Sequence, residues 1–337
     1  MTSEQLFPPI NPFEEGHLKL DDIHVMYWEQ SGNPKGLPVL FLHGGPGAGA
    51  TSVHRRFFDP DVYRIFLFDQ RGAGRSTPYA DVEDNTTAHL ISDLEKLRKK
   101  FGVEHWLVFG GSWGAMLAIA YASRYAEHCL GLILRGVFLG RKSELDWFFG
   151  GVRAIHPEAW ERFVGFLPKE ERNDVLKAYY QRLMHSSSKI NNPAARAWTA
   201  FELECSTLFI SSSAHANSVS GIPSLALARI EAHYFVNKMF LDKDLLDAVP
   251  SIAHLPCMIV QGRYDMVCPI VTANELHVPI GMPVRVELQS NDVLHSFWIP
   301  KLAGKMDMVP GKTTHMWFQA DYLDGDPQTS ERDPYYG

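Results

Sequence analysis

The stretch that decides the fold is WLVFGGSWGAMLAIAYA, residues 106–122. Its apolar first four residues predict a buried strand, and the apolar run that starts at Ala115 predicts a helix. Between them lies a G-x-S-x-G pattern, a turn so tight that only glycine fits at the flanking positions, which leaves the Ser112 hydroxyl exposed. Strand, turn and helix in this order form a nucleophile elbow, so the sequence predicts a serine hydrolase.

A second motif supplies candidate donors for the oxygen that becomes negative during acyl transfer. The apolar strand 38–42 runs into HGGPG, residues 43–47. A glycine-rich turn after a strand brings backbone N–H groups close to a reacting carbonyl. We expect the N–H of Gly44 or Gly45, together with that of Trp113, to form an oxyanion hole. The alternative for this stretch is a simple Gly-Pro turn.

Composition excludes several classes of protein. The 337 residues are 45% hydrophobic and 21% charged, with a formal net charge of −7 and no basic block, so nucleic-acid binding gains no support. The first residues lack the pattern of a secretory signal, and no apolar run reaches membrane-spanning length, so we expect a cytoplasmic protein. The four scattered cysteines indicate buried thiols rather than a disulfide framework or a metal cluster.

Strands alternate with helices along most of the chain. This order predicts an α/β fold with a mostly parallel sheet and helices on both faces. From about 138 to 240 the pattern of alternating strands and helices is absent. This stretch is rich in aromatic residues, has a helical pattern and contains several prolines. We interpret it as a helical cap over Ser112, inserted into an α/β-hydrolase core of residues 1–137 and 241–276.

Asp265 follows the apolar strand that begins at Cys257. A carboxylate after a strand and downstream of the serine fits the Ser…Asp…His chain order of α/β-hydrolases, in which it orients the histidine. An isolated Asp in that place is otherwise a turn residue.

Four motifs together resemble the proline iminopeptidase (prolyl aminopeptidase) family over about residues 11–276. They are HGGPG at 43–47, DQRGAGRS at 69–76, GGSWG at 110–114 and GRYD at 262–265. The resemblance implies an α/β-hydrolase that removes N-terminal proline from small peptides through a Ser-Asp-His triad under a helical cap. It implies no metal and no cofactor.

The resemblance also assigns two cap glutamates, Glu202 and Glu231, to the free amino group of the substrate. A protonated imino terminus entering a pocket of low dielectric needs a paired anion, which two carboxylates supply. Glu204 is a rival, although two residues further along a helix it should face elsewhere. The alternative for each glutamate is a solvated helix carboxylate. Nearby aromatic side chains are candidates for the wall of a proline-sized pocket: Trp198, Phe201, Tyr234 and Phe235.

The family likeness breaks after His277. Residues of about 277–320 resemble a fragment of the copper domain of cytochrome c oxidase subunit II. Only His295 matches that family's ligand set, and no cysteine follows Cys268. Because a dinuclear copper centre needs bridging thiolates, we expect no copper site. Residues 321–337 are expected to form a loose end.

His295 is the candidate general base. It lies 30 residues after Asp265 (295 − 265), follows the strand-like stretch 284–288 and begins a His-Ser pair. If that stretch pairs as the last strand of the sheet, the imidazole can reach Ser112. Three other histidines are weaker candidates: His254, His277 and His315. The alternatives are an esterase or amidase without selectivity for a free amine, and a hydrolase fold impaired by its tail. The sequence leaves the oligomeric state open.

Overall fold

A computed structural model describes residues 6–207 and 224–276, together with the backbone of four later strands. Seven strands form one sheet in the order β1-β2-β4-β3-β5-β6-β7. The strands β1 and β4 pair antiparallel with β2, and the remaining neighbours pair parallel, which confirms the predicted mostly parallel sheet. The strands are β1 (Glu14–Lys19), β2 (Val25–Gly32), β3 (Leu37–Leu42), β4 (Tyr63–Phe68), β5 (Trp106–Ser112), β6 (Cys129–Val137) and β7 (Cys257–Val260).

Nine α-helices lie in the described residues. They are α1 (Thr87–Lys100), α2 (Trp113–Ala122), α3 (Lys142–Phe148), α4 (Pro157–Gly165), α5 (Val175–Leu183), α6 (Ser188–Cys205), α7 (Ser224–Val236), α8 (Val249–Ile252) and α9 (Ile270–Glu275). The N-cap of α1 is Thr86, whose side chain accepts a hydrogen bond from the N–H of His89. None of the described helices is long and apolar enough to cross a membrane.

Both faces of the sheet are buried. Along β3, Leu40 and Leu42 pack into the large core that also contains α1 and α2, whereas Val39 and Phe41 pack into a smaller core on the opposite face. This alternation follows from the period of two in a strand, and burial on both faces explains the nearly continuous apolar runs of the central strands.

The alternation of strands and helices stops after β6. Helices α3 to α7 occupy the described part of 138–240, and no strand occurs there in the residues that the structure describes. The carboxyl ends of the parallel strands β3, β5, β6 and β7 meet at one edge of the sheet. In open α/β sheets this edge is where ligands bind.

The stretch 284–288 does form a strand, but that strand does not complete the sheet. It belongs to β8 (Pro283–Gln289), which pairs antiparallel with β11 (Thr313–Gln319), and β7 remains the last strand of the described sheet. Within the tail β8 has an antiparallel partner of its own, β11, and that pairing satisfies the backbone groups along one edge of β8 without β7. Residues 321–337 lie outside the described part.

Candidate active site

Ser112 is the last residue of β5 and directly precedes α2. Its backbone has φ 54° and ψ −122°, a region that residues other than glycine rarely adopt. Such strain persists where the surrounding structure holds it, and it is frequent at reactive residues. The free N–H groups and positive end of α2 adjoin the hydroxyl, which favours negative charge developing there.

The two flanking glycines of the elbow have no space for a side chain. A Cβ on Gly110 would lie 2.1 Å from the carbonyl oxygen of Gly114, and a Cβ on Gly114 would lie 2.1 Å from that of Leu42. By contrast, a Cβ on Gly111 would have no heavy atom nearer than 3.8 Å. The motif therefore reflects close packing of α2 against β3 and β5.

Replacing Gly110 by alanine is expected to lower the free energy of unfolding by about 3 kcal/mol, because a backbone atom must shift to admit the methyl group. Urea unfolding measures this loss. Gly111→Ala is the matched control and should change stability by less than about 1 kcal/mol. Equal losses for the two variants would contradict the packing described for the elbow.

The glycine loop after β3 lies against the serine. A Cβ built on Gly44 would be 3.5 Å from the Cβ of Ser112 and 4.0 Å from its Oγ. Gly45 has a φ of +106°, which suits only glycine. Within the described residues, neither the Gly44 nor the Gly45 N–H donates a hydrogen bond. Both N–H groups are thus without an acceptor in that part of the chain, and Gly44 lies next to Ser112.

Cys268 is a neighbour of Ser112 that sequence reasoning missed. Its Sγ lies 3.6 Å from Ser112 Oγ, and the residue is buried. Burial raises the pKa of this thiol well above its ordinary value, so the sulfur is a neutral thiol. The signal in the sequence was only its place three residues after Asp265.

Asp265 lies in the loop between β7 and α9. Its Oδ1 accepts hydrogen bonds from the backbone N–H of Val267, at 3.1 Å, and of Cys268, at 2.8 Å. No donor among the described residues bonds to Oδ2. Burial raises the pKa of Asp265, against the opposing effect of these N–H groups. Cys268 thus contacts both Asp265, through its backbone N–H, and Ser112, through its Sγ.

The imidazole of the predicted base, His295, lies outside the described residues. Its backbone begins strand β9 (His295–Phe297), which pairs antiparallel with β10 (Met306–Met308). No histidine in the described part of the chain is hydrogen-bonded to Ser112. Of the weaker candidates, His254 lies between α8 and β7, His277 lies outside the described residues, and only the backbone of His315 is described.

A cavity opens beside Ser112 and holds the two cap glutamates. Its empty volume, counting the part open to solvent, is ≈ 390 Å³. Glu202 on α6 and Glu231 on α7 both line it. The other lining residues are Gly45, Ser112, Phe138, Glu144, Leu145, Phe148, Phe235, Val267 and Cys268.

The two cap carboxyl groups form a buried pair with no cationic partner among the described residues. Burial raises the pKa of Glu202 to about 7. Burial and the neighbouring Glu202 charge raise the pKa of Glu231 well above its ordinary value. Glu231 Oε2 accepts a hydrogen bond of 2.6 Å from the indole N–H of Trp198, whereas Glu202 Oε2 is buried without a partner in the described part of the chain. Such a pair is electrostatically unfavourable until a cation binds.

The third carboxylate of the cavity, Glu144, is already satisfied. It accepts hydrogen bonds from the backbone N–H groups of Leu139 and Arg141 and from the hydroxyl of Thr272. It therefore fixes the start of α3 against α9. Sequence reasoning missed Glu144. Its side-chain partner, Thr272, is 128 residues away, and its other two partners are backbone N–H groups.

Glu204 does not line the cavity. Most of the aromatic side chains predicted to form its wall do not line it either. The Glu204 carboxylate is buried in an ion pair with Arg162, as helical geometry predicted. Of the four aromatic candidates, Phe235 lines the cavity and Trp198 holds Glu231. The wall prediction was wrong for Phe201, which stacks on Phe163 at 4.3 Å, and for Tyr234, whose hydroxyl donates to Asn85.

Family comparisons agree with this geometry. Residues 38–277 match the alpha/beta hydrolase fold family, and the chain belongs to that family. Its relatives within that family include proline iminopeptidases. The enzyme of that name from Arabidopsis thaliana is 51% identical over 276 residues, which cover 81% of this chain and 73% of that protein. The one from Neisseria gonorrhoeae is 48% identical over 269 residues, covering 79% and 86% of the two chains.

Solved structures support the fold alone. The proline iminopeptidase of Mycobacterium smegmatis superposes with a TM-score of 0.51 at 22% identity, covering 81% of this chain and 89% of that one. VinJ gives a TM-score of 0.53 at 21% identity, with 82% and 90% covered. Residues 257–325 match the periplasmic domain of cytochrome c oxidase subunit II, which agrees with the resemblance of the tail. In the described residues, no group of three metal-ligating side chains is close enough to hold an ion.

Proposed function

We propose that the chain is a serine aminopeptidase that releases N-terminal proline from small peptides. The observation that carries this proposal is the pair of buried carboxyl groups, Glu202 and Glu231, facing the same cavity as Ser112. Two acids without a cation create a site for a positively charged group, and the imino terminus of a peptide is such a group. The proline iminopeptidase relatives support the same substrate class.

The proposed reaction starts when Ser112 Oγ attacks the carbonyl carbon of the N-terminal proline. The base takes the hydroxyl proton, and the N–H groups of Gly44 or Gly45 and of Trp113 hold the oxyanion. Collapse of the tetrahedral intermediate breaks the peptide bond, and the base returns its proton to the leaving amine. Water then attacks the acyl-enzyme in the same manner and frees proline. No metal or cofactor takes part in these steps.

The proposed triad joins Ser112 to Asp265 and His295. In support, Asp265 keeps one carboxylate oxygen without a hydrogen bond in the described part of the chain, in a loop adjoining Ser112. A carboxylate in this place fixes the tautomer and orientation of an imidazole. His295 is assigned as that imidazole from its position in the sequence.

Helices α3 to α7 are proposed to act as the cap. Phe138, Phe148 and Phe235 give the cavity an apolar wall suited to a pyrrolidine ring, and Glu202 and Glu231 grip its nitrogen. This arrangement requires a free chain end and excludes the middle of a longer chain.

The test compares hydrolysis of a prolyl anilide with that of its N-acetylated form. The anilide with the free secondary amine should be strongly preferred. In Glu202→Gln and Glu231→Gln, kcat/KM for that anilide is expected to fall by about 100-fold, the usual loss when one member of a buried charge pair is removed. The matched control is Glu204→Gln on α6, because that carboxylate already pairs with Arg162. Equal rates for the two anilides would instead favour an esterase or amidase without selectivity for a free amine.

The dependence of KM on pH, on the acidic side, should reflect protonation of Glu202 and Glu231. A cationic substrate binds the ionised pair, and the pKa of Glu202 is raised to about 7. As pH falls through this value the pair takes up protons, so KM for the prolyl anilide should rise, approaching about tenfold per pH unit. The N-acetylated substrate should show no such rise. A KM that stays constant as pH falls would contradict the pairing.

A further inference from the structure

Gln70 lies in the loop after β4 and makes three buried hydrogen bonds that touch both halves of the proposed oxyanion hole. Its side-chain N–H donates to the carbonyl oxygen of His43 at 3.0 Å, and its Oε1 accepts from the indole N–H of Trp113 at 3.0 Å. Its backbone N–H donates to Nε2 of His43 at 3.0 Å. All three residues are at most 2% exposed, so water does not substitute for these bonds.

The bonds to His43 fix the direction of the glycine N–H groups. Because Nε2 of His43 accepts from Gln70, Nδ1 carries the proton and donates to the carbonyl oxygen of Gly44 at 2.9 Å. Burial lowers the pKa of His43, which keeps the ring neutral in this tautomer. A trans peptide is planar, with its N–H opposite its C=O. Holding the His43 carbonyl therefore aims the Gly44 N–H, and holding the Gly44 carbonyl aims the Gly45 N–H.

The hydrogen bond from the Trp113 indole to Gln70 fixes the second half of the proposed oxyanion hole, the start of α2. The indole belongs to the first residue of α2, whose backbone N–H is the second proposed oxyanion donor. One glutamine side chain thus joins the loop after β3 to the start of α2. Donors that are aligned before the reaction need no reorganisation when the oxyanion forms.

We propose that Gln70 is a positioning residue that aligns the two halves of the oxyanion hole. The proposal rests on the proposed function, because it takes Gly44 or Gly45 and Trp113 as the oxyanion donors. Gln70 itself does not touch the substrate. It acts on the rate of acyl transfer and leaves the binding of the imino terminus unchanged.

The test measures prolyl anilide hydrolysis by Gln70→Leu. We expect kcat to fall by about 10- to 100-fold, less than or equal to the loss of one oxyanion donor, with KM changed by less than about twofold. Inhibition by prolinal, whose aldehyde forms a tetrahedral oxyanion adduct with a serine, should weaken by the same factor as kcat. Inhibition by prolinol, which lacks the carbonyl group, should not change. A kcat within twofold of the original protein, or equal weakening of both inhibitors, would overturn the proposal.

Gln30→Leu is the matched control. Gln30 is equally buried and bridges Glu14 and Arg64 through its side chain, but it lies in β2, away from the elbow. It should leave kcat unchanged. A comparable fall of kcat in both variants would show that loss of any buried glutamine is sufficient and would overturn the positioning role.

Gln70→Glu keeps the shape of the side chain and provides a readout if the leucine variant does not fold. When the introduced carboxyl group is ionised, it accepts from Trp113 but repels the His43 carbonyl, whereas the protonated group restores both bonds. The kcat of this variant, relative to the original protein at each pH, should therefore rise as pH falls. A ratio independent of pH would contradict the role assigned to the Gln70 amide.

Labelling by a fluorophosphonate separates this inference from the proposed function, because the reagent needs the oxyanion hole and no imino group. If the original protein labels but releases no proline, the proposed function fails, and the labelling rate decides the inference. That rate should then fall about 10- to 100-fold in Gln70→Leu and remain unchanged in Gln30→Leu. If the original protein does not label, Ser112 is not a working nucleophile, no oxyanion forms for Gln70 to serve, and the inference falls as well.

Discussion

Ser112→Ala is expected to lower kcat for release of proline by about 10⁵-fold, the scale of loss when the nucleophile of a triad is removed. The variant should fold normally, because alanine adopts the backbone of Ser112 about as readily as serine does. KM should change little, since the cavity and its two glutamates remain. Steady-state hydrolysis of a prolyl anilide measures both quantities, and urea unfolding verifies the fold.

Ser123→Ala is the matched control for that variant. Ser123 caps the far end of α2, and its hydroxyl donates to the carbonyl of Ala120. Its kcat should equal that of the original protein. If Ser112→Ala retained more than about 1% of kcat, the chemistry would belong to another group, and Ser112 would have no nucleophilic role.

His295→Gln is expected to lower kcat by about 10⁴-fold with little change in KM, because a serine hydroxyl without a positioned base is a poor nucleophile. Asp265→Asn should give a loss of similar order, since it permits the wrong imidazole tautomer. The two losses should not add, because the residues act as a unit. Activity of the single and double variants measures this coupling.

His315→Gln is the matched control for the tail. His315 lies on β11, whose backbone pairs with β8, so its replacement perturbs the same segment without removing the proposed base. It should retain kcat. Unchanged activity in His295→Gln would refute its place in the triad, and an inactive original protein would favour the impaired hydrolase fold.

Short-range patterns predicted the elbow correctly. The apolar strand, the G-x-S-x-G turn and the apolar helix each depend on neighbouring residues, and the contacts of Gly110 and Gly114 explain why the motif needs glycine. Helical geometry also indicated that Glu202 and Glu204 face different directions, because two residues along a helix rotate a side chain by roughly 200°. Local periodicity was sufficient for these features.

Contacts between distant segments were not predictable in this way. Trp198 reaches Glu231 across 33 residues, Gln70 joins His43 to Trp113, and Cys268 lies against a serine 156 residues earlier. A single sequence carries no periodic signal for such contacts, since they depend on how loops pack at the sheet edge. The predicted aromatic wall failed at Tyr234 for the same reason.

The C-terminal segment after residue 276 shows how far strands can be predicted from the sequence. The alternation of apolar residues in 284–288 predicted a strand, and β8 is one. The sequence left its partner open, because the choice between β7 and β11 depends on long-range pairing and not on local preference; in the structure β8 pairs with β11. The match of residues 257–325 to the periplasmic domain of cytochrome c oxidase subunit II covers both β8 and β11.

The most direct test of Ser112 as an activated nucleophile in a prolyl aminopeptidase is titration with a fluorophosphonate, followed by mass spectrometry. We expect one adduct per chain, located on Ser112, and a loss of proline release in proportion to labelling. Activity that survives complete labelling, or a protein whose Ser112 does not react, would contradict the proposed mechanism.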